Sequence, residues 1–195
     1  MEVVEKMKKF LLEPSKAFDS VKKETVGEAF KYFLVPLLIG SLLSAVVFAI
    51  AAGVFMGFLG MIWGSSLGGL VGTLGAGLAG IVYFIVMIVG GIVGTLIFSL
   101  WTHIWVYLVG GRKGLNQTIK AMMYGATPSL LLSWLPVINS IGAIWSIVLQ
   151  IIGIKKLHEI TTGRAVVAAI LAIVIPAIIV FFFFLATLTM VRPTY

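Results

Sequence analysis

The side chains that most often do chemistry are scarce in this chain. Its 195 residues carry two histidines, His103 and His158, and no cysteine. Disulfides, thiolate metal sites and S-acylation are therefore excluded, and a metal constellation has too few ligands. Serines such as Ser133 and Ser140 have no acid or imidazole nearby in the sequence, which leaves nucleophilic catalysis without support. Gly110, Gly111 and Gly114 flank Arg112 and Lys113, a composition that suits a phosphate. The spacing is not that of a phosphate-binding loop and no strand precedes it, so a turn against lipid headgroups is the better reading. His103 stands among Trp101, Trp105 and Tyr107. It reads either as a pH-sensitive contact or, in keeping with its aromatic neighbours, as a neutral histidine held by a hydrogen bond near the membrane interface. Neither an enzyme nor a bound cofactor or metal is expected.

The elements that must position these residues follow from the distribution of charge. Hydrophobic residues make up 61% of the chain and charged ones 11%, whereas soluble domains carry about a quarter charged residues. From Tyr32 to Gly111 there are 80 residues with no charge. As helix they would reach about 120 Å at 1.5 Å per residue, four times a hydrocarbon core of about 30 Å. An all-α integral membrane protein is expected. The net charge of +7 is modest and divides into an N-terminal cluster and two later stretches, Arg112, Lys113 to Lys120 and Lys155, Lys156 to Arg164. Read against a bilayer, this surplus points to no nucleic acid. Short loops rich in Lys and Arg stay cytoplasmic, so the tail and the Arg112 loop should share a side and two crossings should separate them. That gives five transmembrane helices at about 32–52, 78–109, 119–135, 138–154 and 165–190, with the N-terminus cytoplasmic and the C-terminus outside. A sixth crossing over 53–76 would place the Arg112 and Lys155 loops opposite the tail, and is rejected for that reason. Residues 1–31 then form a cytoplasmic amphipathic tail and 32–195 a single membrane domain; no signal peptide is expected.

Within the tail, Val3, Val4, Met7, Phe10 and Leu11 share a helical face opposite Glu2, Lys6, Lys9 and Glu13, the pattern of a helix lying in the interface plane. Pro14 should end it and open a second short helix through Phe18 and Val21. Thr25 and Glu28 have the spacing of a capping box at the start of the first span. The connection 53–77 is rich in glycine, and Gly60, Gly64, Gly68, Gly72, Ala76 and Gly80 recur every fourth position. Such a row lets two helices approach closely, within the chain or between copies; the other reading is an irregular or re-entrant connection. Pro128 should kink the third span, and Pro136 with Asn139 and Ser140 should make the outer turn. Pro176 should kink the last span, its freed carbonyl met by a neighbour. Gln150, Asn116 and Tyr124 are expected to make interhelical hydrogen bonds.

These features favour a membrane scaffold. Arg112, Lys113, Lys155, Lys156 and Arg164 would contact lipid headgroups or a partner on the cytoplasmic face, at about 1 kcal/mol per well-placed basic residue for anionic lipid. The small-residue faces would pack helices or join copies. The alternative is a channel or carrier for a small solute, with kinks at Pro128 and Pro176 lining its path. No acid lies in any expected span, which counts against ion-coupled transport.

Gly110, Gly111, Thr118, Tyr124, Pro128 and Leu130 to Leu132 resemble a block of the Yip domain family, the Ypt/Rab-interacting membrane proteins. Trp145, Gly153, His158, Gly163, Arg164 and Ala165 are similar to the family's fourth span, cytoplasmic turn and fifth-span start. Leu12, Pro14, Lys16, Ala17 and Phe18 resemble its opening. The resemblance implies five spans, a cytoplasmic N-terminus and no enzymatic role, and marks Pro14, Phe18, Tyr124 and Pro128 as family positions. It also implies a place in vesicle traffic through small GTPases and fellow members. The short tail here lacks the long polar arm and the acidic-aromatic-glycine-proline motif of many trafficking members. The chain therefore resembles a prokaryotic branch in the cytoplasmic membrane, for which a small GTPase partner enters by resemblance alone. Membrane lipids, a second copy or other membrane proteins are the expected partners.

Overall fold

A computed structural model describes residues 2–63 and 66–190, which are mostly helical with no strand among them. In chain order the helices are α1 (Val3–Leu12), α2 (Pro14–Ser20), α3 (Val26–Trp63), α4 (Ser66–Leu108), α5 (Leu115–Gly125), α6 (Thr127–Leu132), α7 (Pro136–His158) and α8 (Thr162–Met190). Pro14 opens α2 at a position where its missing N–H would have had no helical partner. The Thr25 N–H donates to Glu28 Oε2 at 2.6 Å and the Glu28 N–H donates to Thr25 Oγ1 at 3.2 Å. This reciprocal capping box fixes the start of α3 where the sequence placed it.

The glycine-rich stretch 53–77 is not a loop over its described residues. Helix α3 runs through it to Trp63 and α4 starts at Ser66, so the first two spans extend well beyond 32–52 and 78–109. With 38 and 43 residues, they reach about 57 and 65 Å at 1.5 Å per residue. Glycine is tolerated here because it lets the two helices touch. A Cβ on Gly80 would lie 2.9 Å from Ala49 Cβ and 3.3 Å from Ala45 O, and one on Gly72 would lie 3.0 Å from Met56 Cβ. Gly72, Ala76 and Gly80 thus face α3 of the same chain, and a Cβ on Gly53 would lie 3.7 Å from Ala76 Cβ. Gly60 lies in α3 and Gly68 in α4, while Gly64 falls outside the described residues.

The expected span 119–135 is also revised. Among the described residues four helices, α3, α4, α7 and α8, are long and apolar enough to cross a membrane. The stretch expected to form the third span consists of α5 with 11 residues and α6 with 6. Pro128 has no N–H to offer the Tyr124 carbonyl four residues earlier. The Thr127 hydroxyl donates to that carbonyl instead, at 2.7 Å, and the chain breaks at Ala126. Both short helices lie along α7, with the Ser129 N–H donating to Ser146 Oγ at 3.0 Å. Pro176 creates the same deficit inside α8. There the Trp101 indole N–H donates to the Ala172 carbonyl at 2.9 Å, the neighbour's rescue expected from the sequence.

Large buried side chains gather at one end of the bundle, among them Phe10, Phe18, Phe33, Tyr124, Leu149 and Ile154. Elsewhere the surface is apolar, with Phe55, Phe58, Ile81 and Phe181 to Phe184 exposed, as suits helices surrounded by lipid tails.

Candidate functional site

At the buried end three separated segments meet: the arm α1–α2, the connection from α4 to α5, and the connection from α7 to α8. The arm is held by aromatic rings. Phe10 stacks on Tyr124, with centroids 4.8 Å apart and planes 11° apart, and meets Phe18 edge-on at 4.9 Å. Phe18 in turn lies over Gly153. A Cβ there would be 2.7 Å from Phe18 Cζ and 3.0 Å from Ala121 Cβ, so only glycine leaves room for the ring. The tail helix is amphipathic, as expected, but Met7 and Phe10 on its apolar face are buried against the protein while Val3, Val4 and Leu12 remain exposed. Hydrophobic periodicity marks a face that needs cover without saying whether lipid or protein supplies it. In this chain the Tyr32 and Tyr124 rings supply much of it.

Polar groups fasten the same arm. Lys6 Nζ lies 2.5 Å from Glu24 Oε2 and sits over the rings of Tyr124 and Tyr32, at 4.9 and 5.5 Å from their centroids. The Tyr124 hydroxyl donates to the same Glu24 oxygen. Lys120 is only 2% exposed. Its ammonium donates to the carbonyl oxygens of Val21, Lys22 and Glu24 at 3.3, 3.0 and 2.8 Å. Lys120 therefore leaves the surface cluster suggested by the sequence and becomes a brace for the turn between α2 and α3.

The two connections are shaped by left-handed residues. Gly110 has φ +101°. Its N–H donates to Tyr107 O at 3.1 Å and that of Gly111 donates to Val106 O at 2.8 Å, the paired bonds of a glycine C-cap. A Cβ on Gly111 would lie 2.5 Å from Val106 Cγ1 and 3.1 Å from His158 Nδ1. The paired glycines thus end α4 and seat α7 against it. The two histidines, separate in sequence, come together: Thr118 Oγ1 is 2.8 Å from His103 Nδ1 and 2.9 Å from His158 Nε2. A hydroxyl has one hydrogen to give, so it donates to one imidazole and accepts from the other.

Of the five basic residues expected on the partner face, Lys113 pairs with Glu159 at 2.7 Å and Lys156 with Asp19 at 2.6 Å. The Lys156 ammonium holds the Asp19 carboxyl below its usual range, with Lys22 adding to the effect. The Arg112 guanidinium lies 3.6 Å from the Tyr107 ring centroid. Arg164 Nη1 would touch a Cβ on Gly110 at 3.2 Å, which brings the two connections side by side. Arg112 and Arg164 are exposed and Lys155 is half-buried. None of these three forms an ion pair among the described residues.

The four family positions converge on this end. Phe18 and Tyr124 meet edge-on at 6.4 Å; Pro14 starts the helix that carries Phe18, and Pro128 follows the break that ends the helix carrying Tyr124. Lys6, Glu24, Lys120 and Gly153 complete the cluster. Gly153 is among the positions of the family resemblance; nothing local in the sequence marks Lys6, Glu24 or Lys120 for these contacts, because their partners lie far along the chain. Gln150 departs from expectation: no hydrogen bond reaches its amide among the described residues.

No curated protein and no solved structure matches the chain closely enough to be compared. The Yip1 domain family model matches residues 8–185, nearly the whole chain, including the arm residues Phe10 and Phe18, three of the helices of spanning length and most of α8. The chain is a multi-pass membrane protein and belongs to the Yip1 domain family.

Proposed function

We propose that this protein is a non-enzymatic scaffold of a prokaryotic cytoplasmic membrane, whose charged end faces the cytoplasm and binds partner proteins or anionic headgroups. One observation carries the reading. Three segments far apart in sequence are braced into one surface by Lys120, by the Lys156–Asp19 pair and by the Lys113–Glu159 pair. That bracing leaves Arg112, Lys155 and Arg164 unpaired among the described residues at its rim. A contact surface needs such rigidity, because flexible groups lose entropy on binding. The small-residue row is engaged within the chain at Gly72 and Gly80. Association with a second copy therefore falls to the open glycines Gly57, Gly75 and Gly77, where a Cβ would meet nothing within 4 Å. Membrane organisation or trafficking is the role such a surface would serve.

The test is the triple variant Arg112→Gln, Lys155→Gln, Arg164→Gln. At about 1 kcal/mol per basic residue, enrichment of phosphatidylglycerol around the protein in mixed nanodiscs should fall by up to about a hundredfold. If the natural ligand is a protein, co-purifying proteins should be lost while lipid enrichment holds. Unchanged lipid enrichment together with unchanged co-purifying proteins would refute the proposal.

A further inference from the structure

A second site lies within the apolar part of the bundle, away from the charged end. Between α7 and α8 a groove of about 440 Å³ is bounded by Phe98, Ile147, Ile173 and Pro176, with Ser129, Ser146 and Gln150 on its polar side. It shares Phe98, Ile147, Gln150 and Ile173 with a smaller cavity of about 10 Å³ that Thr102 also lines. That cavity has room for about one water. The serines are occupied, since Ser129 Oγ donates to Ala126 O at 3.0 Å and Ser146 Oγ accepts from the Ser129 N–H. Thr102 and Gln150 are not. The Thr102 hydroxyl is unpaired in a residue 1% exposed, and no hydrogen bond reaches the Gln150 amide among the described residues.

A polar group left unpaired in apolar surroundings is costly, and in lipid there is no bulk water to relieve it. Gln150 is nevertheless held in place. A Cβ on Gly125 would lie 2.6 Å from its Cγ, so the stem is packed and the amide is delivered to the groove. We infer that this groove binds a neutral single-chain lipid that ends in a hydroxyl or carbonyl, its polar end on Gln150 and its hydrocarbon along Ile147, Ile173 and Pro176.

Charge and depth define the ligand. None of the residues lining the groove or the cavity is ionisable, so a charged head would be buried without a counter-ion. Gln150 stands five residues before Lys155 on α7, which is about 8 Å along a helix. A phosphodiester, being charged, would enter this lining without a counter-ion; it cannot take the site. A hydroxyl or carbonyl can, and it offers the complement an amide needs, since the amide both donates and accepts.

The test uses the full chain in phosphatidylcholine nanodiscs and hexadecanol carrying a mid-chain diazirine. Labelled peptides are mapped by mass spectrometry, with hexadecanol or hexadecane as competitor. Labelling should concentrate on 143–154 and 170–180, and hexadecanol should displace it while hexadecane does not. Gln150→Met, which keeps an unbranched stem, should reduce labelling about tenfold, the worth of roughly one hydrogen bond. Thr102→Val should reduce it less, because its hydroxyl lies one step deeper. Both variants should keep wild-type thermal stability, since each removes a polar atom that has no partner. Equal displacement by hexadecane would overturn the inference. Labelling spread evenly over the exposed faces of α3 and α4, or insensitive to Gln150→Met, would do the same.

Discussion

Replacing Lys120 with Met should free the N-terminal arm without unfolding the bundle. The ammonium holds three carbonyls in the turn from α2 to α3, those of Val21, Lys22 and Glu24, at 3.3 to 2.8 Å. An acceptor stranded by loss of its partner costs about 1–3 kcal/mol where it is buried. Only the first of these bonds is fully enclosed, so water recovers part of the loss at the other two. Removing the ammonium also removes its desolvation penalty, which offsets what remains of the loss at those two bonds. The balance is the enclosed Val21 acceptor, a loss of about 1–3 kcal/mol in the arm's hold on α5, or about 5- to 150-fold in the population of the open arm. Trypsin reads that population directly, because Lys16, Lys22 and Lys23 lie in the arm and its connection. When opening and closing are fast relative to cleavage, the cleavage rate follows the open fraction. Lys155→Met, which removes a cation with no ion pair among the described residues, should leave that rate unchanged. Equal rates for Lys120→Met and wild type would refute the view that Lys120 braces the arm.

Other consequences can be checked singly. Gly110→Ala must adopt a left-handed conformation at about 1–2 kcal/mol, and Gly111→Ala must push Val106 and His158 aside at about 1–3 kcal/mol. The double variant should melt roughly 5–15 °C lower in detergent, whereas Gly90→Ala, with nothing within 4 Å of its Cβ, should not be destabilised. Trp101→Phe should destabilise wild type by about 1–2 kcal/mol and should cost less in a Pro176→Ala background, where α8 can satisfy Ala172 itself. Asp19 ionises more readily folded than unfolded, so its contribution is present above the unfolded value of about 3.9 and lost as pH falls through the lower folded value. Pepsin cleavage of the arm should accelerate below about pH 3.9, with a smaller step in Asp19→Asn, whose arm is already looser at higher pH.

Much of the architecture was legible because the bilayer makes simple demands. The charge-free run required helices, and grouping of the cations required an even number of passages between the tail and Arg112. The capping box at Thr25 and Glu28, the opening of α2 at Pro14 and the need for a donor near Pro176 are local rules that hold regardless of tertiary context. What stayed hidden depended on contacts between distant positions. Hydropathy marked 119–135 as a span, yet Pro128 divides it, and amphipathicity placed α1 on lipid although Tyr124 was waiting beneath Phe10. Lys120 reads as a surface cation in any window of sequence; its three carbonyl partners lie 96 to 99 residues away. Gln150 was assigned an interhelical bond because an amide in an apolar helix needs one, and the fold leaves that need open.

In the proposed scaffold the arm, the α4–α5 connection and the α7–α8 connection form one surface on one side of the membrane, with the turn at Pro136 on the other. The natural absence of cysteine makes single-cysteine labelling unambiguous. Lys16→Cys, Lys113→Cys and Val137→Cys each place a thiol at an exposed position. With a membrane-impermeant maleimide on sealed vesicles of known orientation, positions 16 and 113 should label from the same compartment and position 137 from the opposite one. Labelling of 16 and 113 from different sides, or of 137 from the same side as both, would contradict the account.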